Sequence, residues 1–348
     1  MGWNMDKEDL KDIIEKNKDE LFSEIAQEIN NDNVTDIEWD GYNLWITELG
    51  IGSYISGKEL SDRYVENVSI KLANIMGVSF NRSRPILEAN TEKLRISIWH
   101  ESRWHKKSRS IRKIPEYLRF SHKDLVESDY APESIINLLE NSVTAHLSIV
   151  VGGQPHAGKT ELVKYLSTKI PHNEKAGVYE DNQEIHYRKI NPNKKCVEFF
   201  VDDKVTYQDI IKAGLRHNID WILLSESRGP EVAHLLNSLS TGSYCMTTMH
   251  LDEVRDMPDR MYNMLGNSSV NERFINSVYK YIDLVVLVEC DKHEKRRIKQ
   301  IGFLSRCNSV NHCCVIYEDG TFTDETVPED ILDKFNRRGI KNIYEKIN

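Results

Sequence analysis

Eight residues concentrate the chemistry of this chain. Gly153, Gln154, Pro155, His156, Ala157, Gly158, Lys159 and Thr160 follow the apolar run Ser148–Gly152. Their spacing is G-x-x-x-x-G-K-[ST], the pattern of a phosphate-binding loop. The two outer glycines let the backbone turn tightly and aim N–H groups at phosphate oxygens without a Cβ in the way. Lys159 brings an ammonium to the β- and γ-phosphates, and the Thr160 hydroxyl is placed to ligate Mg²⁺. Glu161 opens a segment of helical periodicity, so a bound phosphate also meets a helix N-terminus. A strand before and a helix after make an accidental glycine-rich turn a poor account of the pattern. The chemistry implied is binding of a nucleoside triphosphate, ATP with Mg²⁺.

Hydrolysis asks for more, namely a group that orients water. Trp221–Leu224 reads as a buried strand, and Glu226 emerges just past it, placed to hold water for in-line attack. On its own it would be an ordinary solvated strand-end glutamate; the loop upstream raises its meaning. Glu180, Asp181 and Glu184 follow another apolar strand, where one or two of them, Glu180 or Glu184 foremost, could touch the metal's water shell or polarise the water. A solvated acidic loop is the plain alternative. His250 follows a third strand and is placed to sense the γ-phosphate. Arg95, in an alternating segment, and Arg112, at the end of the basic run Arg103–Lys113, are candidate phosphate contacts. The plain reading of that run is a solvated, charged strand and linker.

These residues need a scaffold. Apolar bursts at Leu147–Val151, Ala176–Tyr179, Cys196–Val201, Trp221–Leu224, Cys245–Thr248 and Leu284–Val288 read as strands. Helical segments at Glu161–Lys169, Tyr207–Arg216, Glu231–Ser240 and Asp256–Leu265 lie between several of them. Such alternation predicts a mostly parallel sheet with helices on its faces and ligands at the strands' carboxyl ends. Phe120–Ser142 reads as a helical lead-in in two pieces, with Ser121 a cap and Pro132 an opening residue. Upstream, Val34–Ile114 reads as a small α/β unit with a hairpin about Asp40-Gly41, a helix over Glu59–Gly77 and a strand over Leu94–Trp99. Met5–Asn30 has the periodicity of an amphipathic leading helix whose apolar face is expected on its own domain, with a neighbouring subunit as the alternative.

Whole-chain figures bound the function. The net charge of −9 gives no global basic footprint, so direct nucleic-acid binding is not expected. No apolar run approaches the ~18 residues of a membrane span, and the polar N-terminus does not read as a signal peptide. The expected setting is cytoplasmic. Six cysteines do not suggest a disulfide scaffold. Cys290, His293, Cys307, His312, Cys313 and Cys314 invite a zinc reading, but the spacing departs from paired C-x-x-C modules, and buried thiols are expected instead.

The ordered motifs resemble those of the type II/IV secretion ATPase superfamily, the motors of conjugation, tight-adherence and type IV pilus systems. That family carries a Walker A box, an E-D-x-x-E box, a strand ending G-E-x-R-G and a T-G…T-x-H box. Here they stand as Gly153–Thr160, Glu180-Asp181-Asn182-Gln183-Glu184, Ser225-Glu226-Ser227-Arg228-Gly229, and Thr241-Gly242 with Thr248-Met249-His250. Val34–Ile37 and Ser110–Lys113 resemble its N-terminal signatures. Ser225 stands where the family has glycine, and His156 where a small residue is common. The resemblance implies a PAS-like α/β N-terminal domain over 31–118, preceded by the leading helix at 1–30, and a RecA-like P-loop NTPase domain over 119–348. It further implies a hexameric ring that hydrolyses ATP held between the domains, with Arg95 and Arg112 closing on the phosphates. Movement would act on a membrane platform protein, so the chain would associate peripherally with the inner face of the membrane. Two other functions fit the core motifs: a nucleic-acid translocase or mobilisation ATPase, and a nucleotide-gated scaffold that binds ATP without efficient hydrolysis.

Overall fold

A computed structural model describes residues 7–103, 106–202, 204–266, 272–291 and 295–347. Trp104 of the basic run and His293 of the Cys/His set lie outside the described residues. The chain forms two compact units, one spanning Met1–Glu116 and the other Tyr117–Asp291 with Lys295–Asn348.

In the first unit, strands β1 (Val34–Trp39), β2 (Leu44–Glu48), β3 (Gly52–Ile55), β4 (Ile86–Glu88), β5 (Leu94–Trp99) and β6 (Ser108–Lys113) form an antiparallel sheet in the order β3-β2-β1-β6-β5-β4. The turn between β1 and β2 is set by Asp40, whose carboxylate accepts the N–H groups of Tyr42 and Asn43 at 2.7 Å each. Gly41 supplies the positive φ that the turn needs. Alternation does the rest. Ile37, Leu44, Ile46, Leu94, Ile96, Ile98 and Ile111 enter one core with Tyr64, Val65, Val68 and Leu72 of the helix Asp62–Ile75. That helix starts later than expected because Ser61 caps it, accepting the Tyr64 N–H at 3.1 Å.

The leading helix is not continuous. It runs as Lys7–Lys16, Lys18–Leu21, a 3₁₀ turn at Ser23–Ile25, and Ala26–Asn30. Asn17 leaves helical geometry at φ −112°, and its side-chain amide donates to the Ile13 carbonyl at 2.8 Å. Periodicity survives the break because Ile14, Leu21, Phe22, Ile25 and Ile29 still reach the core of this unit.

The second unit holds β7 (Ile149–Gly152), β8 (Ala176–Glu180), β9 (Cys196–Phe200), β10 (Trp221–Leu224), β11 (Tyr244–Met249), β12 (Leu284–Cys290), β13 (Arg296–Cys307), β14 (Val310–Glu318) and β15 (Thr321–Phe322). Their order is β15-β14-β13-β12-β7-β11-β10-β8-β9. Pairing is parallel from β12 to β9 and antiparallel from β12 to β15. The sheet is therefore mixed, with an antiparallel flank beyond the expected parallel strands. Successive strand residues feed opposite faces. Ile149, Val151, Leu223, Val286 and Val288 join Leu138, Leu162 and Phe335 in one core. Val150, Ile222, Leu224, Val285 and Leu287 join Ile210, Leu235, Met261 and Val278 in the other. Being covered on both faces is why the parallel strands read as unbroken apolar runs. The lead-in breaks as expected: Ser121 caps His122–Glu127 in a reciprocal capping box with Asp124, and Pro132 precedes Glu133–Thr144.

None of the cysteines expected to be buried is fully so: Cys290, Cys313 and Cys314 are half-buried and Cys307 is exposed, while Cys245, outside that set, is buried. Among the described residues no three His, Cys, Asp or Glu side chains are grouped to hold a metal ion. Among them also, no helix is long and apolar enough to cross a membrane.

Candidate nucleotide site

The parallel register sets the site. β8, β10, β11 and β7 run side by side, with Tyr179 opposite Leu224, Leu224 opposite Thr247, and Met249 opposite Gly152. Their carboxyl ends therefore release Glu180-Asp181, Ser225–Arg228, His250 and the loop Gly153–Gly158 at one edge of the sheet.

The loop has the backbone that its glycines predict. Gly153 has φ +150°, and a Cβ there would collide with the Val288 carbonyl. Gly158 has φ +91° and is the N-cap of the helix Lys159–Ser167. His156 adopts φ +64°, an uncommon conformation for a residue with a side chain, and its carbonyl accepts from Arg296 Nε at 3.3 Å. Arg296 also packs against Gly158, where an added Cβ would meet its Cδ at 3.2 Å. Gln154 donates to Asp252, Pro155 is exposed, and Ala157 is buried. Lys159 is nearly buried. Its ammonium donates to the carbonyls of Gly153 at 3.0 Å and Gln154 at 2.9 Å, inside the curl of the loop.

From Lys159 a polar chain crosses the strand ends. The ammonium donates to His250 Nδ1 at 3.4 Å, and His250 Nε2 lies 3.2 Å from Glu226 Oε1. The other Glu226 oxygen faces Arg228 Nη1 at 3.7 Å, and Arg228 Nη2 is in close contact with Asp181. Hydrogen bonds below hold this edge in register. The Ser225 N–H donates to the Tyr179 carbonyl at 3.1 Å, the Ser227 N–H to the Thr248 carbonyl at 2.8 Å, and the Thr248 hydroxyl to the Ser225 carbonyl at 2.6 Å.

The two glutamates of the acidic box divide their roles. Glu184 accepts from the Thr160 hydroxyl at 3.3 Å, at the head of the phosphate-loop helix. Glu180 is buried and turns inward, accepting the N–H groups of Glu184 at 3.0 Å and Ile185 at 2.9 Å. Burial pushes its carboxyl up to about 8 against those two hydrogen bonds, and the Glu184 and Glu198 carboxylates add to the rise. Glu180 thus shapes the loop that carries Glu184. The Glu161 carboxylate is likewise turned inward, onto the fully buried Lys164 ammonium at 3.0 Å.

The sequence-derived candidates Lys159, Thr160, Glu226, Glu180, Glu184 and His250 gather at this one edge. Arg95 and Arg112 belong to the other unit. There they face each other across β5 and β6, and Arg112 donates to the buried Asp36 carboxylate at 2.9 Å. The sequence offered Asp181 only as one of three carboxylates near the metal and water, and Arg228 only inside its box, without a role. It had no signal for Arg296, which arrives from the antiparallel flank.

An α/β unit whose parallel strand ends present a glycine-hinged loop, a lysine and a carboxylate defines a class of protein. The Type II/IV secretion system protein family matches residues 86–331, and the chain belongs to it. An uncharacterized protein of Bacillus anthracis is 25% identical over 354 residues, covering 95% of this chain and 80% of that protein. A putative conjugal transfer protein of Mycobacterium tuberculosis (strain H37Rv) is 26% identical over 204 residues, covering 56% of this chain and 57% of that protein. The X-ray structure of the Legionella pneumophila ATPase DotB shares the fold, with a TM-score of 0.58 at 17% identity over 94% of this chain and 88% of that one.

Proposed function

We propose that this protein is a ring-forming ATPase that hydrolyses ATP to ADP and phosphate and uses the energy to drive a type IV or type II-like secretion, pilus or conjugation machine. The observation that carries the reading is the chain Lys159–His250–Glu226 across adjacent strand ends, beside a phosphate-type loop. In this reading the amides of Gly153–Thr160, followed by Glu161 in the first helical turn, grip the β- and γ-phosphates together with the Lys159 ammonium. The site's oxygen donors suit Mg²⁺. The Thr160 hydroxyl directs its proton to Glu184, which leaves an oxygen lone pair for the metal. When bound, Mg²⁺ neutralises charge between the phosphates. Glu226 orients the attacking water, and His250, bonded to Lys159 and adjacent to Glu226, reports loss of the γ-phosphate.

The same reading takes the first unit as the PAS-like domain and the second as the RecA-like domain of a homo-hexamer. Arg95 and Arg112 act as phosphate clamps, and the ring works at the cytoplasmic face of the membrane through a platform protein.

The decisive measurement is phosphate release from ATP by the purified protein and by Glu226→Gln. The variant should lose about 10²- to 10⁴-fold in turnover while still binding ATP. Equal rates in the two proteins, or no ATP binding by either, would overturn the assignment.

A further inference from the structure

Two carboxylates compete for one guanidinium at the edge of the site. Arg228 is in close contact with Asp181 through Nη2, while its Nη1 stands 3.7 Å from Glu226 Oε2, beyond hydrogen-bond distance. The backbone under Arg228 is pinned. The buried Glu231 carboxylate accepts the N–H groups of Arg228 and Gly229 at 2.8 Å each, so only the Arg228 side chain can swing. Asp181 is held in turn, because the Tyr207 hydroxyl donates to its Oδ1 at 3.3 Å, leaving Oδ2 for the arginine. Tyr207 opens a helix fixed by a reciprocal capping box between Thr206 and Asp209.

Removing Asp181 would leave Glu226, two residues before Arg228, as the neighbouring anion. A planar guanidinium takes a carboxylate through both oxygens when nothing competes. Glu226 already has the His250 imidazole 3.2 Å from Oε1. A second, two-pronged partner would engage both oxygens in charge-assisted bonds and draw off the negative charge with which Glu226 orders water.

We infer that Asp181 is a positioning residue that holds the Arg228 guanidinium aside, keeping one oxygen of Glu226 available to the attacking water. The inference rests on the hydrolytic reading of the site. It assigns Asp181 no contact with nucleotide or metal. Its effect on turnover runs through Arg228 alone.

The test is the steady-state kinetics of ATP hydrolysis by full-length wild type, Asp181→Ala, Asp181→Asn, Arg228→Ala and the double variant Asp181→Ala/Arg228→Ala. Both Asp181 variants should lower kcat about tenfold, with KM for ATP within about twofold of wild type. In the Arg228→Ala background the Asp181 change should have no further effect. An exposed ion pair contributes little to stability, so urea unfolding midpoints should scarcely move, which separates a rate effect from unfolding. Unchanged kcat in both Asp181 variants, or the same loss with and without Arg228, would overturn the inference while leaving the ATPase assignment intact. If wild type releases no phosphate, or Glu226→Gln matches it, the assignment falls and this inference with it.

Discussion

The close approaches around Gly153 and the route from Lys159 to Glu226 hold the argument together at the level of single residues. Gly153 has φ +150° and no room for a side-chain carbon beside the Val288 carbonyl. Gly153→Ala should therefore cost about 1–3 kcal/mol of stability, measured as a urea midpoint, and weaken ATP binding through the same distortion. A variant with wild-type stability and affinity would refute the claim that the loop needs this glycine. The loop itself was legible in the sequence, because its phosphate geometry demands particular residue types at fixed spacing. The Asp181–Arg228 contact was not. It exists because β8 and β10 are neighbours in the sheet, with Tyr179 beside Leu224, although 45 residues part them in sequence. The two glutamates of the acidic box could not be told apart beforehand either. Only the turn after β8 sends Glu180 inward and leaves Glu184 by Thr160.

The turn after β8 also carries a pH signature at the level of elements. The native Glu180 carboxyl is raised by burial from 4.5 to about 8. Between those values the native protein keeps a proton that the unfolded chain has shed. This contribution to stability is full below pH 4.5 and is lost as pH rises through 8, falling by up to about 1.4 kcal/mol per unit. Lys164, Glu184 and Glu198 are the charged groups that interact with it. Glu180→Gln keeps an acceptor for the two N–H groups and removes the titration. Urea midpoints from about pH 5 to about pH 9 should thus decline less for the variant than for wild type; parallel profiles would show that Glu180 does not titrate in this window. Element by element, the parallel strands were easy to read because burial on both faces leaves no polar alternation. β13 was obscured by its charged and polar positions, among them Arg296, Arg297, Lys299 and Gln300. The leading helix read as continuous because its apolar spacing outlasts the kink at Asn17.

For the whole molecule, the proposed function demands assembly. Sizing in the presence of Mg²⁺ and a non-hydrolysable ATP analogue should give a particle of six times the 40.5 kDa chain mass. A monomer at every nucleotide concentration would refute the ring. Two-unit organisation was visible in the sequence as a change of texture, from alternating strands around one helix to apolar bursts separated by helices. The antiparallel flank was not, and it holds the longest strand of the sheet. β13 begins with Arg296, whose guanidinium reaches the His156 carbonyl and packs on Gly158. Two residues later the Ile298 N–H donates to the Tyr130 carbonyl at 2.9 Å. The strand then continues, twelve residues in all, to the exposed Cys307. At ~3.3 Å per residue it is a stiff rod roughly 40 Å long. One continuous strand thus begins against the phosphate loop and ends in solvent at the opposite end of its own length.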